Sequence, residues 1–370
     1  MAGITPIIMP KWGLSMQEGR VVAWLVDEGA RIDVGMEILE VETDKIASAV
    51  EAADPGTLRR KVAAEGEVLP VKALLGVMAD AGVPESEIDG YIAAYVTPPA
   101  DGDGDESAPA VQFTEVEGLR IRYARRGADR GVPVLFIHGY GGDLDNWLFN
   151  IDAIGERSPV IALDLPGHGQ SAVALPGTSV SALATFVARF MESLGVEKAH
   201  LAGHSVGGAI ASRLAVTQPE RVATLTLIGS AGFGDEVNTG YTEGFVAASS
   251  RRELKAVLEK LFADPGAVTR QMVDDVLKYK RLDGVGELLA RLGEGLFAGG
   301  RQQEKPGLQL AGTGKPVLVI WGRDDQVIPS SHATHAPPSA TVEILDNAGH
   351  MVQMERANDV NRLIQRHVAR

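Results

Sequence analysis

A serine between two glycines is the residue of this chain whose setting most strongly indicates covalent chemistry. Residues 203–207 read Gly-His-Ser-Val-Gly, and they separate an apolar segment, 199–202, from a helix-like segment, 209–215. In a tight strand-to-helix turn, the glycines let the chain bend sharply and present the serine hydroxyl at the positive end of the helix. We therefore predict that Ser205 is a nucleophile that attacks acyl groups.

Such a serine needs a base and an acid that orients the base, and two later segments supply both. Asp325 follows the apolar segment 317–321, and His350 comes 25 residues after it. The serine comes first along the chain, then the acid and then the histidine. This is the order found in enzymes that have this kind of strand-to-helix turn. Asp324 stands beside Asp325, so spacing alone leaves two candidates for the acid.

Stabilisation of the negative charge in a tetrahedral intermediate requires N–H donors near the serine. Residues 138–142 read His-Gly-Tyr-Gly-Gly and follow the apolar segment 133–137. We expect the backbone amides of Tyr140 and Val206 to form this oxyanion hole.

The pattern of apolar residues changes after residue 113, and the new pattern indicates the strands and helices that would carry these residues. Apolar strands alternate with helical segments, which predicts an α/β sheet, and between about 233 and 310 helical segments alone predict a cap over the sheet. The predicted buried strands are 133–137, 160–163, 199–202, 223–228 and 317–321.

Residues 113–370 resemble the α/β-hydrolase superfamily throughout, including Asp-Leu-Pro-Gly-His-Gly-Gln-Ser at 164–171. The resemblance implies Ser205 as nucleophile, His350 as base and Asp325 as acid. Asp325 is preferred to Asp324 because the family spacing is Gly-x-x-Asp, counted from Gly322.

The remaining histidines are expected to be structural. His204 precedes the serine at a position that tolerates many residues, and His168 is expected to hold its own loop. His332 and His335 are expected at the surface, and no cluster around them predicts a metal site.

The first 80 residues contain an internal repeat with an offset of 37 residues. Each copy shows short alternating strands interrupted by a Glu-Gly turn, so two copies predict a flattened β-barrel with two quasi-symmetric halves. Lys45 falls where the first copy must turn into the second, within Glu42-Thr-Asp-Lys45. The matched residues are Gly19 with Gly56, Val21 with Leu58, Leu25 with Val62, Gly29 with Gly66, Ile32 with Leu69, Val34 with Val71, and Ile38 with Leu75.

Glu-Thr-Asp-Lys between two such halves resembles the lipoyl-domain motif, over residues 3–80. The biotin carriers have Met-Lys-Met at this turn, which this chain lacks, so the resemblance implies lipoate rather than biotin on Lys45.

We thus expect a lipoyl-carrier domain at 1–80, a short helix and an acidic Pro/Gly linker at 81–112, and an α/β-hydrolase domain at 113–370. A calcium-loop interpretation of the linker fails because Glu106 and Gln112 stand where glycine and glutamate are required.

Composition and charge restrict the binding partners and the cell compartment that we expect for this chain. Residues 1–112 contain 8 Lys/Arg and 20 Asp/Glu, so this segment holds −12 of the net charge of −14. That acidity argues against nucleic-acid binding and suggests basic surfaces on the enzymes that handle the front domain. The absence of cysteine, signal segment and membrane-length apolar run leads us to expect a cytoplasmic protein.

The two domains together resemble the dihydrolipoamide acetyltransferase components of acetoin-cleaving (acetoin dehydrogenase) systems over nearly the whole chain. The usual acyltransferase motif His-x-x-x-Asp-Gly of other lipoyl-bearing enzymes is absent. The resemblance implies transfer of an acetyl group from lipoyl-Lys45 to coenzyme A. It also implies three partners, namely a thiamine-diphosphate-dependent acetoin-cleaving enzyme, dihydrolipoamide dehydrogenase and a lipoate-attaching enzyme.

Two alternatives remain open from the sequence. The second domain could be an esterase or thioesterase with water as the final acceptor, or the chain could be a carrier scaffold with an idle hydrolase fold. The sequence shows neither a coenzyme A pocket nor the oligomeric state, and homo-oligomerisation stays open.

Overall fold

The structure, a computed structural model, describes residues 3–12, 16–43, 47–98, 111–127 and 130–369. The chain divides into two compact units, Met1–Ala108 and Pro109–Arg370. None of the helices in the described ranges has the length and apolar character needed to span a bilayer.

The described residues of the first unit form two four-stranded sheets that enclose one apolar core. The strand orders are β1-β8-β6-β3 and β5-β4-β2-β7, so the two sheets have equivalent arrangements. The core contains Val21, Ile32, Ile38, Leu58 and Leu75, all at repeat positions. The strands are β1 (Ile4–Ile8), β2 (Glu18–Trp24), β3 (Arg31–Ile32), β4 (Glu37–Glu42), β5 (Ala47–Glu51), β6 (Gly56–Lys61), β7 (Val68–Pro70) and β8 (Leu74–Ala79).

Hydrogen bonds between the two halves follow the predicted repeat. The Gly29 N–H donates to the Leu58 carbonyl (2.6 Å), and the Gly66 N–H donates to the Val21 carbonyl (2.7 Å). Both glycines have a left-handed backbone, with φ of +88° and +86°, which a side chain would strain. The 37-residue offset therefore reflects a quasi-two-fold barrel, as predicted.

A helix follows the barrel, as the sequence predicts, and it belongs to the first unit. This helix, α1 (Glu85–Ala94), buries Ile88 completely against Leu74 and Val77 of β8. Glu85 in its first turn pairs with Arg60 of β6 (2.9 Å). The helix is thus packed against the carrier barrel.

The described residues of the second unit form an eight-stranded sheet with the order β9-β10-β12-β11-β13-β14-β15-β16. Strands β11 to β16 run parallel, whereas β9 and β10 are antiparallel to their neighbours. The carboxyl ends of the parallel strands therefore meet at one edge. The strands are β9 (Gln112–Val116), β10 (Leu119–Arg126), β11 (Val134–Ile137), β12 (Val160–Leu163), β13 (Ala199–His204), β14 (Val222–Ile228), β15 (Val317–Gly322) and β16 (Thr341–Leu345).

The helices lie around this sheet and, between β14 and β15, form the predicted cap. The cap segment holds α5 to α8 and ends with a 3₁₀ helix, Pro306–Thr313. The helices are α2 (Ile151–Gly155), α3 (Val180–Ser193), α4 (Val206–Thr217), α5 (Thr239–Ala247), α6 (Arg251–Leu258), α7 (Arg270–Lys280), α8 (Val285–Phe297), α9 (Val352–Glu355) and α10 (Ala357–Val368).

Strands β9, β10 and β16 are absent from the sequence predictions. All three lie towards the sheet edges, and β9 and β16 are only partly buried. Edge strands alternate polar and apolar residues, so they lack the continuous apolar runs that identify the buried parallel strands.

Candidate active site

Ser205 occupies the turn between β13 and α4. Its backbone has φ +54° and ψ −121°, a strained conformation for a residue with a side chain. The turn is crowded, because a Cβ atom on Gly207 would lie 2.1 Å from the Ile137 carbonyl oxygen and one on Gly203 would lie 2.3 Å from the Gly207 oxygen. The two glycines are therefore required for this turn, which is the geometry expected for a nucleophilic serine.

His350 and Asp325 form a buried hydrogen-bonded pair. The His350 Nδ1–H donates to Asp325 Oδ2 (2.8 Å), and the two side chains are 2% and 0% exposed. Asp325 also accepts from the Trp321 indole N–H (3.0 Å) and from the amides of Val327 and Ile328 (2.8 and 2.9 Å). The carboxylate is thus held by four donors, and it fixes the imidazole with Nε2 available as the base.

Asp324 lies in a different environment. It is exposed, and its backbone N–H donates to the Ala348 carbonyl (2.9 Å). The structure therefore brings Asp325, rather than Asp324, against His350.

Ser205 and His350 line the same cavity, which has a volume of about 90 Å³. No hydrogen bond joins the serine hydroxyl to the imidazole in the described part of the chain, and such bonds often tighten only with substrate bound. The cap covers the cavity with apolar side chains. These include Phe245, Leu258, Leu261, Met272 and Val276.

The loop after β11 lies against Ser205. A Cβ atom on Gly139 would lie 2.8 Å from the Ser205 Cβ, and Tyr140 lines the cavity with Ser205. Among the described residues, the backbone amides of Tyr140 and Val206 have no hydrogen-bond acceptor. Two N–H groups beside a serine are available to bind an oxyanion.

The Tyr140 side chain connects this loop to the cap, a contact that no local sequence pattern predicts. Its hydroxyl donates to the Leu289 carbonyl of α8 (2.7 Å), and its ring packs edge-on against Phe245 and Phe297. Burial raises the pKa of the Tyr140 hydroxyl, so it stays a neutral donor. The cap therefore holds the loop that carries one of the two candidate oxyanion donors.

Two buried histidines organise the loops at this edge of the sheet. His168 accepts from the Gly141 N–H (3.2 Å), and burial lowers its pKa to about 4. His138 donates to the Gly139 carbonyl (2.8 Å) and accepts from the Leu165 N–H (2.9 Å), and burial lowers its pKa too. Both are neutral, and the His168 Nδ1–H also donates to the Pro166 carbonyl of its own loop (3.0 Å), which confirms the prediction that His168 holds this loop.

His204 supports His350 through the backbone. It is buried, and its Nε2–H donates to the His350 carbonyl (2.9 Å). Burial and the neighbouring His350 lower the pKa of His204, so its imidazole is neutral. These contacts agree with the structural role predicted for it.

The surface position predicted for His332 is wrong. It is 2% exposed, lies edge-on to Trp321, and donates to the Glu236 carboxylate (2.7 Å). Space for the ring exists because residue 234 is glycine, where a Cβ atom would lie 2.4 Å from His332 Nε2. His335 is exposed, as predicted, and the described residues contain no cluster of three or more metal-ligating side chains.

Comparisons with known proteins agree with this two-unit fold. A family described as biotin-requiring enzymes matches residues 5–78, and the alpha/beta hydrolase fold matches residues 132–357. A Cupriavidus necator protein named dihydrolipoyllysine-residue acetyltransferase component of acetoin cleaving system is 62% identical, over 99% of this chain and 97% of its own. A Pseudomonas putida protein of the same name is 49% identical, over 98% and 97%.

The chain belongs to this acetyltransferase family. The match of residues 132–357 to the alpha/beta hydrolase fold confirms the architecture expected from sequence for the second unit. A meta-cleavage product hydrolase from Pseudomonas fluorescens IP01 has a TM-score of 0.63 and 25% identity, over 69% of this chain and 96% of its own.

The family's lipoyl group requires a lysine, and Lys45 lies outside the described residues. The strands on either side of it are described: β4 and β5 are antiparallel, and Glu42 pairs with Ala47. Glu42 and Ala47, which flank the segment 43–46 in the sequence, therefore lie side by side at one end of a sheet.

Proposed function

We propose that this chain moves an acetyl group from a lipoyl arm on Lys45 to coenzyme A in an acetoin-cleaving system. The observation that carries the proposal is the 62% identity with the Cupriavidus necator relative, which covers 99% of this chain and hence both units. The proposed setting is the cytoplasm. The proposed partners are a thiamine-diphosphate-dependent acetoin-cleaving enzyme, dihydrolipoamide dehydrogenase and a lipoate-attaching enzyme.

The candidate site supports acyl transfer through a serine ester. Lipoate on Lys45 would supply a sulfur that carries acetyl as a thioester. Ser205 Oγ attacks the carbonyl carbon of the thioester donor while His350 Nε2 takes the hydroxyl proton and gives it to the departing sulfur. The amides of Tyr140 and Val206 stabilise the oxyanion, and Asp325 stabilises the protonated imidazole.

Deacylation reverses these steps with a different thiol. His350 Nε2 takes the proton of the coenzyme A thiol, whose sulfur attacks the acetyl-serine ester, and the proton returns to Ser205 Oγ. The products are acetyl-coenzyme A and the free serine, so each half-reaction exchanges one acyl bond for another. Water must be excluded, and the cap places apolar side chains over the cavity.

The cavity suits a short uncharged acyl group. Its volume is about 90 Å³, and no Lys, Arg, Asp or Glu of the described residues lines it. The charged parts of coenzyme A therefore belong outside the cavity, with only the thiol end near Ser205.

Ser205→Ala in the lipoylated full chain tests the proposal. We expect acetyl-coenzyme A formation to fall at least about 10³-fold, because the nucleophile is lost while binding remains. Intact mass should show the same lipoyl addition in both proteins. Turnover at the wild-type rate in Ser205→Ala would contradict a serine ester.

Lys45→Arg is the matched test for the carrier unit. It keeps the positive charge but offers no amine for lipoate, so the lipoyl mass and the acetyl transfer should both disappear. Transfer from free acetylated dihydrolipoamide should persist, because the serine site is intact. A lipoyl mass retained in Lys45→Arg would place the attachment site elsewhere.

A second candidate function is hydrolysis, favoured by the similarity of the second unit to hydrolases. A Pseudomonas sp. 2-hydroxy-6-oxononadienedioate/2-hydroxy-6-oxononatrienedioate hydrolase is 28% identical over 71% of this chain. An esterase or thioesterase would release acetate in preference to acetyl-coenzyme A when both water and coenzyme A are present. In a third option, the chain is a carrier scaffold whose second unit is catalytically inactive. Lys45→Ala would then abolish turnover, whereas Ser205→Ala would leave it unchanged.

A further inference from the structure

The residues on both sides of His350 are hydrogen-bonded to other parts of the second unit. The Gly349 N–H donates to Glu355 Oε2 (2.7 Å), and the Met351 N–H donates to the Leu261 carbonyl (2.9 Å). Leu261 lies in the cap, just after α6. The loop that presents the candidate base is therefore bound directly to the cap.

Glu355, the last residue of α9, bridges the same two segments through its carboxylate. While Oε2 accepts from Gly349, Oε1 accepts from the Ala263 N–H of the cap (2.7 Å). The two backbones are in close contact, since a Cβ atom on Gly349 would lie 2.7 Å from the Ala263 nitrogen. A single carboxylate thus joins the cap to the residue that precedes His350.

We propose that Glu355 is a positioning residue that sets the location of His350 relative to the cap. This inference rests on the proposed function, in which His350 is the base for Ser205. The cap forms the apolar wall of the cavity, and the Glu355 bridge holds that wall and the imidazole in one arrangement.

The bridge requires two acceptor oxygens, which explains why a carboxylate is needed. Glutamine would present one oxygen and one NH₂ group, and the NH₂ group would face a backbone N–H that needs an acceptor. Burial and nearby Asp264 raise the pKa of Glu355, whereas the N–H donors of Gly349 and Ala263 favour the ionised form. Among the described residues, no Lys or Arg forms an ion pair with Glu355. Backbone N–H groups are therefore its main stabilising partners.

Glu355→Gln should be compared with Glu304→Gln in the full-length chain. Glu304 is a matched control, because it is also a partly buried carboxylate that accepts from a backbone N–H (3.1 Å), but this N–H belongs to Ser181 at the start of α3 rather than to the His350 loop. The first measurement is the second-order rate constant for reaction of Ser205 with a fluorophosphonate, which needs serine and base but neither lipoate nor coenzyme A.

We expect Glu355→Gln to lower this rate constant about 10- to 100-fold, because a displacement of the base of about 1 Å has effects of this size. In acetyl transfer, kcat should fall by a similar factor while KM for the acyl donor stays within about twofold, since Glu355 does not line the cavity and the side chains that do are unchanged. Glu304→Gln should stay within about twofold of wild type in both assays.

A folded Glu355→Gln protein that reacts at the wild-type rate would overturn the inference. If Glu355→Gln fails to fold, Glu355→Asp replaces it, because aspartate keeps two acceptor oxygens on a shorter stem. A reduced rate constant in folded Glu355→Asp supports the inference, and a wild-type rate overturns it. Failure of wild-type Ser205 to react would instead contradict the proposed function.

Discussion

Two consecutive aspartates follow β15, and local hydrogen bonding decides which one reaches the candidate base. The Asp325 carboxylate accepts from the amides of Val327 and Ile328, which turns it inward towards His350. Asp324 remains exposed to solvent. At the scale of single residues, the turn that follows the strand therefore decides which aspartate contacts His350.

This difference predicts a large loss of activity for substitution of one aspartate and almost none for substitution of its neighbour. Asp325→Asn should lower kcat roughly 10³- to 10⁴-fold, because the amide neither fixes the imidazole tautomer nor stabilises its protonated form. Asp324→Asn should stay within about twofold of wild type. Steady-state kinetics of acetyl transfer measure both, and a larger loss in Asp324→Asn would reverse the assignment.

At the scale of secondary-structure elements, α1 extends the carrier barrel beyond its last strand. Its Ile88 is completely buried against β8, and Tyr95 just after the helix donates to the Lys72 carbonyl (2.7 Å). These contacts make the helix a structural part of the first unit. The connection to the second unit begins after it.

Ile88→Ala tests the packing of this helix. Removing a buried isoleucine side chain costs about 2–5 kcal/mol, so amide hydrogen exchange in β6 and β8 should accelerate in the full chain. Exchange in β13 of the second unit should be unchanged. Glu87→Ala is the control, because Glu87 lies on the exposed face of the same helix. Unchanged protection of β8 in Ile88→Ala would show that the helix does not stabilise the barrel.

At the scale of the whole molecule, charge and protonation differ between the two units. The acidic charge is concentrated before residue 113, whereas the second unit buries neutral histidines beside its candidate site. A histidine whose folded pKa is lowered binds fewer protons when folded than when unfolded. Its contribution to stability is therefore complete above its unfolded pKa and is lost as the pH falls towards its folded pKa.

The contribution of His168 to the pH dependence of the free energy of unfolding is large enough to measure. Its pKa falls from an ordinary 6.5 to about 4, so the loss of stability occurs between these two values. Between pH 7 and pH 5 this single group should lower the free energy of unfolding by about 2 kcal/mol. Urea unfolding of the second unit, followed in the full chain at both pH values, measures the change.

His168→Gln provides the comparison, because its amide oxygen can still accept from the Gly141 N–H but takes up no proton. The stability of this variant should depend less on pH by about 2 kcal/mol over the same range. An identical pH dependence in both proteins would mean that His168 is not held neutral by burial.

Features that depend on local spacing and on continuous apolar runs can be predicted from the amino-acid sequence. The turn at Ser205, the order of serine, acid and histidine, and the buried parallel strands follow from short segments whose residues act on their neighbours. The repeat in the barrel can also be predicted, because Gly29 and Gly66, 37 residues apart, mark two equivalent turns with a left-handed backbone. These features need no knowledge of which distant segments meet.

The tertiary structure alone decided the contacts between segments far apart in the chain. Tyr140 reaches Leu289, Glu355 reaches Ala263, and His332 is buried beside Trp321 rather than exposed. No local pattern encodes such pairs, because each depends on how the cap and the sheet edge pack together. The contacts that support the candidate site are therefore set by packing, whereas the candidate reactive residues themselves are proposed from local sequence.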